Sequence, residues 1–194
     1  MKRLTQFLYF FLMLILGVAC SATYNWREVR MDEQGFVALF PSKTSIEKNT
    51  IQYSDHKLPM TMVAANADDA LFAIGAIPIQ TGEVSVKDLV VWMKTNTARL
   101  IKDDQPAKEV ELILKTAANP AQKITATGFN LAGLGPDGNY RLYWVRWVVC
   151  NDAQDKVRVY QLSALKPFKS VPSKSEKDQI IEQFDTFLSG FHPY

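Results

Sequence analysis

The chain has 194 residues, 47% of them hydrophobic and 11% aromatic, a length and composition that suit one globular domain with a substantial core. Its 22 Lys and Arg face 20 Asp and Glu, but Lys2 and Arg3 belong to a leader; without them the balance is 20 against 20. A neutral chain lacks the positive field that nucleic-acid binding needs, and two cysteines, Cys20 and Cys150, cannot make a disulfide framework.

Lys2 and Arg3 open the chain, residues 7–16 form an apolar run, and small residues lead to Cys20. That is the layout of a secretory signal peptide. The run falls short of the roughly 20 apolar residues that a membrane span needs. The stretch Leu16-Gly17-Val18-Ala19-Cys20 resembles a bacterial lipobox, with Gly17 standing where the pattern usually has Leu. The resemblance implies cleavage before Cys20, acylation of its thiol and a lipid anchor in the cell envelope. Ser21 in place of Asp implies the outer membrane, with the domain facing the periplasm. Two other outcomes stay open: cleavage after Ala22, which gives a periplasmic or secreted protein, and an uncleaved anchor. The expected organisation is a signal peptide over 1–19, a tether over 20–25 and a single domain over 26–194.

In chain order, residues 26–29 and 36–40 flank Asp32-Glu33-Gln34-Gly35 and predict a hairpin that Pro41 ends. Strands are expected at 50–53, 58–65 and 70–77, with turns at 55–57 and around Asp68-Asp69 and with Pro78 closing the third. Connections this short predict an antiparallel meander. Apolar residues at Val86, Leu89, Val90, Met93, Leu100 and Ile101 follow helical spacing and predict a helix over 86–101. Ser85 with Asp88 resembles a capping box, and Asp103, Asp104 and Pro106 stop the helix. Further strands are expected at 109–115 and 122–131. A glycine-rich loop then leads into Tyr140-Arg141-Leu142-Tyr143-Trp144-Val145-Arg146-Trp147-Val148-Val149-Cys150. Aromatic and β-branched residues at that density read as the central strand, covered on both faces. A turn over 151–156 and a strand over 157–165 follow. Ile180, Ile181, Phe184, Phe187, Leu188 and Phe191 mark a closing helix, with Ser175 and Asp178 as its expected cap.

The hairpin segment Gly35-Phe36-Val37-Ala38-Leu39-Phe40-Pro41 and the order of elements across 26–191 resemble the PsbP-like superfamily, which includes DcrB-like bacterial envelope proteins. Lys43-Thr44 stand where members often have a second proline. The resemblance implies an α+β fold, an α/β/α sandwich around a central antiparallel sheet, and roles in binding and assembly; it carries over no catalytic residue.

Chemistry-bearing motifs are sparse. Gly133-Leu134-Gly135-Pro136-Asp137-Gly138 matches G-x-G-x-x-G literally, but a strand follows it and Pro136 lacks an amide, so it reads as a hairpin turn. His56 and His192 stand apart from any metal-ligand spacing and read as exposed polar residues, so no metal or cofactor is expected. Cys150 at the end of an apolar strand reads as a small buried hydrophobe, with no histidine near it in sequence. Asp152 and Asp155 read as turn residues able to hold a weak cation. Arg146 interrupts an apolar strand. Its bland reading is a stem over apolar surface with the guanidinium on an aromatic ring or a carboxylate; its functional reading, with Trp144, is a partner contact.

These readings lead to a non-catalytic envelope lipoprotein, anchored through Cys20, that acts through a protein or small-ligand contact. The alternative is an enzyme or carrier with a pocket between sheet and helices.

Overall fold

The computed structural model describes residues 23–102, 107–151 and 156–194. Cys20, the Asp103-Asp104-Pro106 stop and the Asp152–Asp155 pair lie outside them. Among the described residues the elements are β1 (Arg27–Met31), β2 (Phe36–Phe40), β3 (Ser45–Tyr53), β4 (His56–Ala67), β5 (Ala70–Ile79), α1 (Val86–Ala98), β6 (Glu109–Lys115), β7 (Lys123–Leu134), β8 (Tyr140–Asn151), β9 (Val157–Phe168), α2 (Lys174–Ser189) and β10 (His192–Pro193).

The chain does not build the expected α/β/α sandwich. It builds a β-rich fold of two antiparallel sheets, one of seven strands in the order β3-β4-β5-β9-β8-β7-β6 and one of three in the order β1-β2-β10. The physical reason lies in the N-terminal hairpin. Phe36, Ala38 and Phe40 are fully buried, and β2 pairs with β1 on one side and with β10 on the other. The hairpin therefore leaves the main sheet and, with α2, covers one of its faces. Among the described residues the other face carries α1 alone, so helices do not form a layer on either side.

The seven-stranded sheet is two meanders, β3-β4-β5 and β6-β7-β8-β9, zipped together where β5 meets β9 along Leu71↔Leu165 to Ile79↔Val157. The aromatic strand β8 is next to the middle position, which β9 holds; β8 pairs with β7 and β9 on its two edges. Its alternation works as expected. Leu142, Val148 and Cys150 enter the core under α2, while Tyr143, Val145 and Trp147 enter the core under α1.

Most strands run longer than their sequence patterns, because pairing carries polar residues into the ladder. Pro78 falls inside β5 instead of closing it. The β4 ladder has already ended at Thr61↔Ala76, so the missing N–H leaves no gap there. The β3–β4 turn is tighter than expected, with His56 and Lys57 already in β4; Ser54 adopts φ 51°. Gly35 closes the first hairpin at φ 71°, and a Cβ there would also stand 3.1 Å from the Tyr160 hydroxyl.

Helix α1 ends at Ala98 rather than at residue 101, and Ser85 Oγ caps it by accepting from the Asp88 amide at 3.4 Å. The α2 cap lies two residues before the expected one. Ser173 Oγ accepts from the Glu176 amide and the Glu176 carboxylate accepts from the Ser173 amide, a reciprocal capping box. Glu176 reaches back where the shorter Asp178 has no such partner. Phe184 and Phe187 of α2 then meet Phe72 edge-on at 5.8 and 5.4 Å, and Phe187 meets Phe40 at 5.5 Å.

Candidate functional site

Arg146 lies in the interface between the main sheet and α2, 5% exposed. Its Nη1 donates to the carbonyls of Phe129 at 3.0 Å and Val145 at 2.8 Å, and its Nη2 donates to Asn130 Oδ1 at 2.7 Å. The guanidinium stands 5.9 Å from the Trp144 ring, which in turn meets Phe184 edge-on at 5.9 Å. Burial lowers the pKa of Arg146 and the Asp185 carboxylate on α2 opposes it; burial raises the pKa of Asp185, with Arg146 opposing. The side chain is thus committed to carbonyls, an amide and a ring inside the fold. Trp144 keeps a half-buried edge.

Gly128 explains how the Arg146 side chain finds those carbonyls. It pairs with Arg146 across β7 and β8, and a Cβ on it would lie 2.0 Å from the Val145 carbonyl oxygen. Only glycine lets β8 approach this closely.

Cys150 is buried, and burial pushes its thiol up to about 12, so it stays protonated and unreactive near neutral pH. The glycine-rich segment is a turn: the Gly138 amide donates to the Gly135 carbonyl, Gly138 has φ 77°, and Asp137 holds Asn139 and Arg141. His56 is exposed at the start of β4. His192 pairs with Val37 and its Nδ1 lies 3.1 Å from the Lys115 carbonyl. Among the described residues no three His, Cys, Asp or Glu side chains gather as a metal site would require.

A broad concave surface lies at the end of the molecule where residue 23 emerges. Two adjoining depressions of about 660 Å³ each share Asp68, Asp69, Pro167, Phe168 and Lys169, and both are open to solvent. Lys166 Nζ reaches the Asp68 carboxylate at 2.6 Å and also the Asp68 carbonyl, tying the end of β9 to the β4–β5 turn. Tyr24 forms one wall. Its ring stacks on Trp26 at 6.2 Å and meets Phe72 edge-on at 6.3 Å, and its buried hydroxyl faces the Asp68 carboxylate. Burial first, and the neighbouring Asp68 carboxylate second, push that phenol up to about 12.

Asp68 and Asp69 are the turn residues expected from the sequence, at φ 50° and 58°. Nothing near them in the chain marks Tyr24 or Lys166 as their neighbours. Lys166 and Asp68 are 98 positions apart and meet only through the β5–β9 register, for which a single sequence carries no local signal.

No protein-family profile matches the chain, and no curated protein matches it either. Among the described residues no helix is long and apolar enough to cross a membrane.

Proposed function

We propose that the chain is an envelope lipoprotein: residues 1–19 are removed, Cys20 carries the acyl anchor, and the β-rich domain faces the periplasm from the outer membrane as a binding or assembly module. The observation that carries the reading is the stretch Leu16-Gly17-Val18-Ala19-Cys20 behind a charged start and an apolar run. The interior adds support for surface action. Both sheet–helix interfaces are filled, by Phe72, Phe184 and Phe187 on one side and by Leu89, Met93 and Trp147 on the other, which leaves binding to the outside of the molecule. The open charged depressions at the residue-23 end suit a surface contact better than an enclosed reaction. The PsbP-like resemblance rests on the hairpin segment and the element order; its sandwich layering is absent, and the proposal does not depend on it.

Intact mass of the membrane-fraction protein, with and without a signal peptidase II inhibitor, tests the anchor. A species starting at Cys20 with added acyl mass that disappears on inhibition is expected. A species starting at Thr23 without lipid, or a full-length chain in both samples, overturns the reading.

A further inference from the structure

We propose that the end of the domain bearing Thr23 is a membrane-docking surface that rests on anionic phospholipid headgroups. The inference rests on the lipid anchor at Cys20 and adds which surface faces the bilayer and what it touches there.

The short link between Cys20 and the domain limits its reach. Tyr24 is held against Trp26 and Phe72, and the Asn25 amide donates to the Pro41 carbonyl at 2.8 Å, so the chain is fixed to the body from Tyr24 onward. Four Cα–Cα steps separate Tyr24 from Cys20, a span of at most about 14 Å when fully extended. The headgroup layer on each side of a bilayer is itself roughly 5–7 Å deep. An acylated Cys20 therefore keeps Tyr24 no more than about 10 Å beyond the headgroups, while the opposite end stands about 40 Å away along the twelve-residue strands β8 and β9.

Strand register gathers at the Thr23 end the loop after β2, the β4–β5 turn, the β7–β8 turn and the β9–α2 loop. Ser42 Oγ donates to the Asn66 carbonyl at 2.9 Å, and Lys166 ties the β9 end to Asp68. Most charges at this end have partners inside the protein: Lys166 with Asp68, Arg141 with Asp137 at 2.8 Å, Glu176 in the α2 cap, and Lys177 over the Tyr140 ring at 5.2 Å. Lys43, Lys169 and Lys174 are exposed and have no such partner among the described residues; the matching acids are Asp69 and, one turn into α2, Asp178. Between Lys169 and Lys174 lies Val171, 67% exposed, the most exposed large apolar side chain among the described residues. Cations around one projecting apolar side chain suit anionic headgroups, each lysine contributing through the surface potential and Val171 through shallow insertion.

The test uses the full chain, acylated in cells and reconstituted into vesicles of phosphatidylethanolamine and phosphatidylglycerol, with intact mass confirming the acyl chains in the same sample. A fluorophore is placed by Val171→Cys or, at the far end, by Asp55→Cys; the buried Cys150 is out of the label's reach. The quencher is a lipid with a nitroxide headgroup. At least twofold stronger quenching at position 171 than at 55 is expected, with the contrast shrinking in K43E/K169E/K174E and in phosphatidylcholine vesicles. Equal quenching at both positions, or stronger quenching at 55, in acylated protein overturns the docking surface. A contrast untouched by the triple charge reversal overturns the headgroup contact and leaves the tether as its cause. A mass without acyl chains overturns the anchor itself.

Discussion

Tyr24 sits where the chain enters the domain, and its phenol has an unusual environment: the hydroxyl is buried beside the Asp68 carboxylate. The group's ordinary value is 10.0 and the fold pushes it up to about 12. As pH rises between those values the unfolded chain loses this proton before the folded one does. The unfolded state then binds fewer protons, so stability falls as pH rises through the interval. Tyr24→Phe is expected to lose less stability than the native chain between pH 10 and 12, measured by urea midpoints; parallel losses would show that the phenol is not held this way. Arg146 is the other residue whose environment decides its role. Removing it in Arg146→Ala leaves two carbonyls and the Asn130 amide oxygen without their donor, a cost of about 2 kcal/mol. Arg146→Lys should recover less than half, because one ammonium cannot serve a fork of carbonyls and an amide at once. Denaturant unfolding of both variants checks this. The irregularity of an arginine in an apolar strand was legible in the sequence; its partners Phe129 and Asn130 were not, since they come from the neighbouring strand β7.

At the scale of elements, much was readable. Hydrophobic spacing placed α1 and α2, β-branched and aromatic density placed β8, and turn residues placed the hairpins, because these are local preferences of neighbouring side chains. Ends were less legible. The expected strand at 50–53 is β3 from Ser45, because an edge strand with exposed, polar residues is defined by its pairing with β4 rather than by alternation. The α2 cap was misplaced because Ser173-x-x-Glu176 and Ser175-x-x-Asp178 offer overlapping versions of one signal, and only side-chain reach separates them. Gly128 illustrates a local residue with a purely tertiary reason. Gly128→Ala is expected to cost about 1–3 kcal/mol through displacement of β8, whereas Ala126, two positions earlier on the same face, accommodates its Cβ at full burial. Thermal or chemical denaturation of Gly128→Ala decides the point; native stability would mean that the strands can separate at this pair without loss.

For the whole molecule, the three-stranded sheet is the feature that sets the architecture. Phe191, fully buried next to β10, meets Phe36 at 5.5 Å and Tyr160 at 5.1 Å, joining both sheets and the end of α2 in one core. Phe191→Ala should cost about 3–5 kcal/mol. Near- and far-ultraviolet circular dichroism should still report a single coincident transition; separate transitions would mean that the small sheet folds independently of the large one. The sequence by itself determined the period of each main element and the two-faced burial of β8, and it holds the Leu16–Cys20 pattern on which the proposed anchor rests, all of which depend on residues close in the chain. Only the tertiary structure decided that the N-terminal hairpin pairs with the last residues instead of joining the main sheet. It also decided that β9 docks on β5, and that Tyr24, Asp68 and Lys166 meet at one end. Those outcomes follow from which buried surfaces fit across the chain, as Phe36 does against Phe191 at 5.5 Å, and no local preference encodes that choice.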